Sequence, residues 1–189
     1  MKSKIRYTAS AFFLAVLSTS IVQAADEDLP AECKQAIADF QKADSTLQTF
    51  FTNSAGYAVF PGVGKGGFVV GGARGKGLVF EANKAVGKAT MTQASIGAQV
   101  GGQEFAEVIF FETPAALEDF KAGKFEMSAE VSAVAAAEGA SKAAKYKHGV
   151  AVFTLPKKGL MVQASIGGQK FKYEPQALQP TGREPEKKD

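Results

Sequence analysis

Three cations, Lys65, Arg74 and Lys76, stand within a stretch (residues 56–81) that also holds nine glycines. Glycine at that density among β-branched and aromatic residues marks tight turns, bulges or close backbone approach. Amides exposed by such turns can hold a phosphate oxygen beside a cationic side chain, so the chemistry indicated is anion binding. The competing reading is solvated turn charge that keeps strand edges from pairing with other chains. Lys158 extends the set through a repeat. Gly56-Tyr-Ala-Val-Phe60 returns as Gly149-Val-Ala-Val-Phe153, and at the same offset Lys65 and Gly66 correspond to Lys158 and Gly159. One strand–turn–strand unit used twice accounts for this, although two copies are too few for a solenoid. A second echo, residues 93–97 recurring as 163–167, reads as two equivalent strand ends.

Other chemistries are poorly supplied. Gly62, Gly64 and Gly67 spell a dinucleotide-type pattern, but Phe68-Val69-Val70 follows, which is strand-like. A pyrophosphate site needs a helix N-terminus there, so the motif is rejected. His148 is the only histidine and, between Lys147 and Gly149, reads as a turn residue. Cys33 is the only cysteine, which excludes an intramolecular disulfide and reads as a half-buried helix position. Glu104 and Glu107 fall on opposite faces of a strand, so they make no carboxylate pair. The expectation is a non-enzymatic protein with no cofactor and no metal site.

The elements that carry these residues follow from periodicity. Lys2, Lys4 and Arg6, a short apolar run over residues 9–17 and Val22-Gln23-Ala24 describe a signal peptide (residues 1–24) cleaved between Ala24 and Ala25. A periplasmic or secreted product follows. The whole chain carries 22 basic and 19 acidic residues, but three basic ones lie in the leader, leaving net charge zero. Nucleic-acid binding by bulk charge therefore loses support, and any anion site must be a local cluster. Residues 30–51 show apolar positions at three-and-four spacing, including Phe40, Leu47, Phe50 and Phe51, which predicts one amphipathic helix. Its apolar face either packs on its own sheet or enters a lipid surface. Strands are expected at 58–60, stopped by Pro61, and at 66–74, 77–82, 85–92, 94–100 and 104–111, mostly antiparallel. Thr113-Pro114 opens a short helix ended by Gly123. Alternation returns at 125–134, residues 133–144 read as strand end and loop, and 149–154, 159–166 and 170–173 close the sheet. The tail from 176 to 189 is rich in proline and charge and reads as disordered.

Ala58-Val-Phe-Pro61, Val63 with Lys65-Gly-Gly-Phe68, Gly71-Gly72 and Gly75-x-Gly77 resemble the opening motif of the SYLF domain family. Ser95-x-Gly97-x-Gln99-x-Gly101 is similar to its middle motif, residues 110–120 to its helix-opening segment, and Lys158-Gly-Leu160 to its closing one. The resemblance spans residues 40–173, within a domain expected over 25–175. It implies a lipid-binding domain whose basic residues and amphipathic N-terminal helix meet the membrane, which points to Lys65, Arg74 and Lys76 and to the helix that carries Phe40, Leu47, Phe50 and Phe51. Lys158 joins the expected lipid-binding set as the repeat's equivalent of Lys65. The expected fold is α+β: a strongly twisted, partly closed antiparallel sheet with an N-terminal amphipathic helix and a short inserted helix. The expected partner is an anionic phospholipid or membrane surface. The alternative is a periplasmic envelope protein-interaction module without a lipid role.

Overall fold

The computed structural model describes residues 28–66, 70–96, 103–125, 127, 131–158 and 168–176. Among the described residues three α-helices, α1 (Leu29–Ala43), α2 (Gln48–Asn53) and α3 (Pro114–Lys121), accompany seven strands. These are β1 (Gly56–Gly66), β2 (Val70–Glu81), β3 (Lys84–Ile96), β4 (Gln103–Phe111), β5 (Val134–Ala135), β6 (Val150–Lys158) and β7 (Gln169–Pro175). They form one sheet in the order β5-β6-β4-β1-β2-β3-β7. Every pairing is antiparallel except β5 with β6, so the sheet is mixed at that edge rather than wholly antiparallel.

The sheet curls over its inner face without closing into a barrel. Three strands separate β4 from β7, and at about 4.8 Å per strand a flat sheet would hold them ~19 Å apart. Instead Gln169 of β7 bonds to Glu107 of β4 at 3.0 Å, and the Phe171 ring centre lies 5.9 Å from that of Phe60 on β1. The inner core contains Phe60, Phe105, Ile109, Phe111, Met91 and Phe171, and α3 adds Leu117 and Phe120. Thr113 caps α3 by accepting from Ala116 N at 3.2 Å, and Gly123, at φ 68°, takes the left-handed turn beyond it. Thr113→Ala is expected to cost about 1 kcal/mol, read as a lower midpoint in urea with an unchanged slope.

Strand β1 runs through Pro61 instead of stopping there. Its register slips between Val59 and Gly62 against β2 and between Phe60 and Val63 against β4. Proline lacks the N–H that a central strand needs, and a bulge removes that need. Gly77 lies opposite the bulge, where a Cβ would sit 2.3 Å from the Val59 carbonyl oxygen. The expected strands at 66–74 and 77–82 are accordingly one strand, β2, and those at 85–92 and 94–100 merge as β3 up to Ile96. Glycine in those runs accommodates curvature rather than ending the ladder. The alternation over 125–134 yields only the two-residue β5 among its described residues. The expected strand at 159–166, the second copy of residues 93–97 and the tail from 177 onward lie outside the described residues.

The repeated runs flank β4 on either side. Val59 and Phe153 share the row of Val108, whereas the repeat aligns Val59 with Val152. The copies are thus one residue out of step, which reverses their faces. Phe60 enters the inner core and Phe153 the outer one.

The outer face is covered by the N-terminal helices. Leu29, Cys33, Ala36 and Phe40 of α1, then Leu47 and Phe51, pack on Tyr57, Val59, Leu78, Val108, Phe110 and Phe153. The single helix expected over residues 30–51 is broken by a 3-10 turn, Ser45–Leu47, between α1 and α2. Asp44 causes the break: extended at φ −147°, its carboxylate accepts from Thr46 N, Gly139 N and Ser141 N at 3.0, 3.1 and 2.8 Å. Asp44 and Ser141 are both buried, so the clip joins the end of α1 to the loop after β5.

Candidate functional site

Alternation along β2 sorts its side chains. Ala73, Gly75 and Gly77 are buried, while Arg74 and Lys76 between them are exposed. The same period on β3 and β7 buries Ala89, Met91, Gln169 and Phe171 and leaves Lys88, Lys170 and Lys172 exposed on the opposite side. Register then aligns them. Arg74 pairs with Thr92 and Thr92 with Lys170; Lys76 pairs with Thr90 and Thr90 with Lys172; Leu78 pairs with Lys88 and Lys88 with Glu174. Five cations from three adjacent strands therefore share one outer face, with two threonine hydroxyl positions between them. Among the described residues two carboxylates lie in these rows: Glu174, which accepts from Lys172 at 2.7 Å, and Glu104 of β4, two strands from Arg74. Both members of the Lys172–Glu174 pair are largely exposed, so the pair adds little to stability, while each carboxylate cancels one unit of the local positive charge and leaves the face net cationic. Helix α1 covers the outer face as far as Leu78, and the cationic rows of β2 begin beyond it.

The structure brings Arg74 and Lys76 together and separates the other sequence candidates from them. Lys65 pairs with Ala73, one row further along than Arg74, and its side chain is outside the described residues. Lys158 pairs with Glu104, whose row continues through Gly64 to Arg74. Lys158 thus shares that row but stands three strands away, ~14 Å along the sheet. Phe40 and Leu47 are fully buried and Phe51 is nearly so. Phe50 is half-buried, with its ring centre 5.1 Å from Phe153 and 5.4 Å from Phe110. The apolar face of the N-terminal helices packs on their own sheet in this fold, with Phe50 the least buried of these four side chains.

Lys88, Lys170 and Lys172 escaped the sequence reading because they lie far along the chain from the glycine-rich stretch. The available signal was alternation in 88–92 and 170–172, where Lys and Thr occupy every second position. Cys33 is fully buried, its Sγ donates to the Val59 carbonyl at 3.6 Å, and burial pushes its thiol up to about 12. His148 sits at φ 51° before Gly149 at φ 78°, as a turn residue. Glu107 is wholly buried on the inner face. Among the described residues no group of three or more His, Cys, Asp or Glu could hold a metal ion, and no helix is long and apolar enough to cross a membrane.

Residues 92–177 match the family described as Ysc84, Las17-binding protein actin regulator. The chain is also 32% identical over 169 residues to a protein named Beta cell expansion factor A from Aeromonas veronii. That alignment takes in 79% of this chain and 64% of the relative, so the chain spans less than two thirds of that protein's length.

Proposed function

With residues 92–177 belonging to the Ysc84 (SYLF) family, we propose that the protein is a non-enzymatic, exported lipid-binding protein. It contacts anionic phospholipid head groups through the outer face of β2, β3 and β7. The observation that supports this reading is the grouping of Arg74, Lys76, Lys88, Lys170 and Lys172 on one exposed face of the described residues. A sheet face of this kind presents charge over an area rather than in a pocket, which suits a surface of phosphodiesters better than one small ligand. Each such cation near an anionic bilayer contributes about 1 kcal/mol, and the sum is screened by salt. Residues 1–24 act as the export signal in this reading.

The test is co-sedimentation of the mature protein, residues 25–189, with phosphatidylglycerol-containing vesicles and with purely zwitterionic ones, at low and high salt. The expected result is binding to the anionic vesicles alone, abolished by salt. Equal, salt-insensitive binding to both would move the contact to an apolar surface. Binding to neither would favour the second reading, an envelope module that recognises a partner protein. The Las17-binding relatives named in the family description are what supports that alternative.

A further inference from the structure

The inner face holds a buried carboxyl that the cationic face does not use. Glu107 and Gln169 are both fully buried, and Gln169 Nε2 donates to Glu107 Oε2 at 3.0 Å. The other carboxyl oxygen, Glu107 Oε1, and the amide oxygen, Gln169 Oε1, are both buried and without a hydrogen-bond partner. If Glu107 is ionised, both of those atoms are acceptors and nothing between the two groups can serve them. One proton on Glu107 supplies the missing donor: the acid O–H donates to the amide oxygen while the amide N–H donates to the acid, closing a two-bond ring. We propose that Glu107 is held protonated and that this acid–amide pair latches β7 across the inner face, so that loss of the proton releases the β7 edge. The latch joins strands that have three others between them. Among the described residues that contact also includes the Phe171 ring against Phe60, Phe120 and Phe125, together with the backbone bonds of Met127 to Gly168 and Gln169.

The surroundings favour the neutral acid. Phe60 of β1 and Thr154 of β6 flank Glu107 in its row. Burial pushes the carboxyl up to about 7, against the opposing pull of the Gln169 hydrogen bond. The ionisable groups on the elements around it are few. Lys65 of β1 lies in the backbone row of Ala73, Gln93 and Gln169. Glu104 of β4 pairs with Lys158 of β6, Lys170 is on the exposed side of β7, Tyr173 of β7 donates to the Val86 carbonyl at 3.0 Å, and Lys121 of α3 is held by Glu81 and Glu118. Because the folded-state value is raised for an acid, stability is highest below the ordinary value of 4.5, falls as pH rises towards about 7, and is level above it. Opening of β7 within the folded protein follows the upper end of that window.

Hydrogen exchange of the mature protein, read on residues 169–175 between about pH 5.5 and about pH 9 and corrected for intrinsic rates, tests the latch. Protection of β7 is expected to fall by about tenfold with a midpoint near pH 7, while α1 stays protected. Glu107→Gln supplies an N–H in place of the titrating O–H and is expected to flatten the profile. A flat profile in the unsubstituted protein, or an unchanged midpoint in the variant, overturns the proposal. Should Glu107→Gln fail to fold, infrared spectra of the unsubstituted protein decide: a protonated-carboxyl stretch at about pH 6 is expected, and its absence overturns it.

Discussion

Replacing Arg74, Lys76, Lys170 and Lys172 together by glutamine is expected to lower affinity for anionic vesicles by roughly a thousandfold at low salt. Four cations at about 1 kcal/mol each give ~4 kcal/mol, and each 1.4 kcal/mol is tenfold. The same variant is expected to show a much shallower dependence of binding on salt, since fewer counterions and head groups exchange places. All four side chains are exposed, so the thermal midpoint should move little. The Lys172–Glu174 pair is lost in this variant, but an exposed ion pair is worth well under ~1 kcal/mol. Vesicle titration at two salt concentrations reads the effect. Unchanged affinity in a folded quadruple variant would remove this face from the mechanism. Lys65→Gln with Lys158→Gln is the informative comparison: it is expected to have the smaller effect, because the register sets those positions apart from the grouped face.

Asp44→Ala is expected to destabilise the fold by about 3 kcal/mol, a large part of a typical 5–15 kcal/mol total. The substitution strips acceptors from three backbone amides, at Thr46, Gly139 and Ser141, and leaves the buried one, Ser141 N–H, without water to replace the carboxylate. The Thr46 and Ser141 hydroxyls, which bond to one another, also lose the carboxylate that orders them. Urea unfolding should show a lower midpoint. A change under ~0.5 kcal/mol would mean that the α1 terminus and the loop after β5 are held by packing alone. The pH dependence has a definite sign. Burial works against ionisation of Asp44, but its hydrogen bonds from Thr46 and Ser141 prevail and lower the carboxyl to about 2. The contribution is therefore complete above the ordinary value of 3.8 and is lost as pH falls through about 2. Asp44→Ala should flatten the acid limb of the stability profile in that window.

Asp44 and Glu107 act in opposite pH directions, which follows from their partners. Asp44 meets several donors that favour the anion, whereas Glu107 meets one amide N–H and otherwise burial. Two carboxyls of similar intrinsic acidity are thereby separated by environment alone.

The sequence by itself determined the class of the fold, most of its strands and the capped inserted helix. Those features are local: alternation marks β4, and Thr113-Pro114 fixes the start of α3. Strand ends were less legible, because glycine and Pro61 are usual breakers and only a bulge, with Gly77 opposite it, lets β1 continue. Tertiary structure decided which face each residue meets. An amphipathic pattern fits a lipid surface and a protein sheet equally, and only the packing of Phe40, Leu47 and Phe51 on β1, β2 and β4 settles their direction. The cationic face required register: Arg74 and Lys170 are 96 positions apart and become row neighbours of Thr92 only through the β2–β3 and β3–β7 ladders. Glu107 required the curl of the sheet, since nothing in its neighbourhood along the chain reveals that Gln169 will close over it.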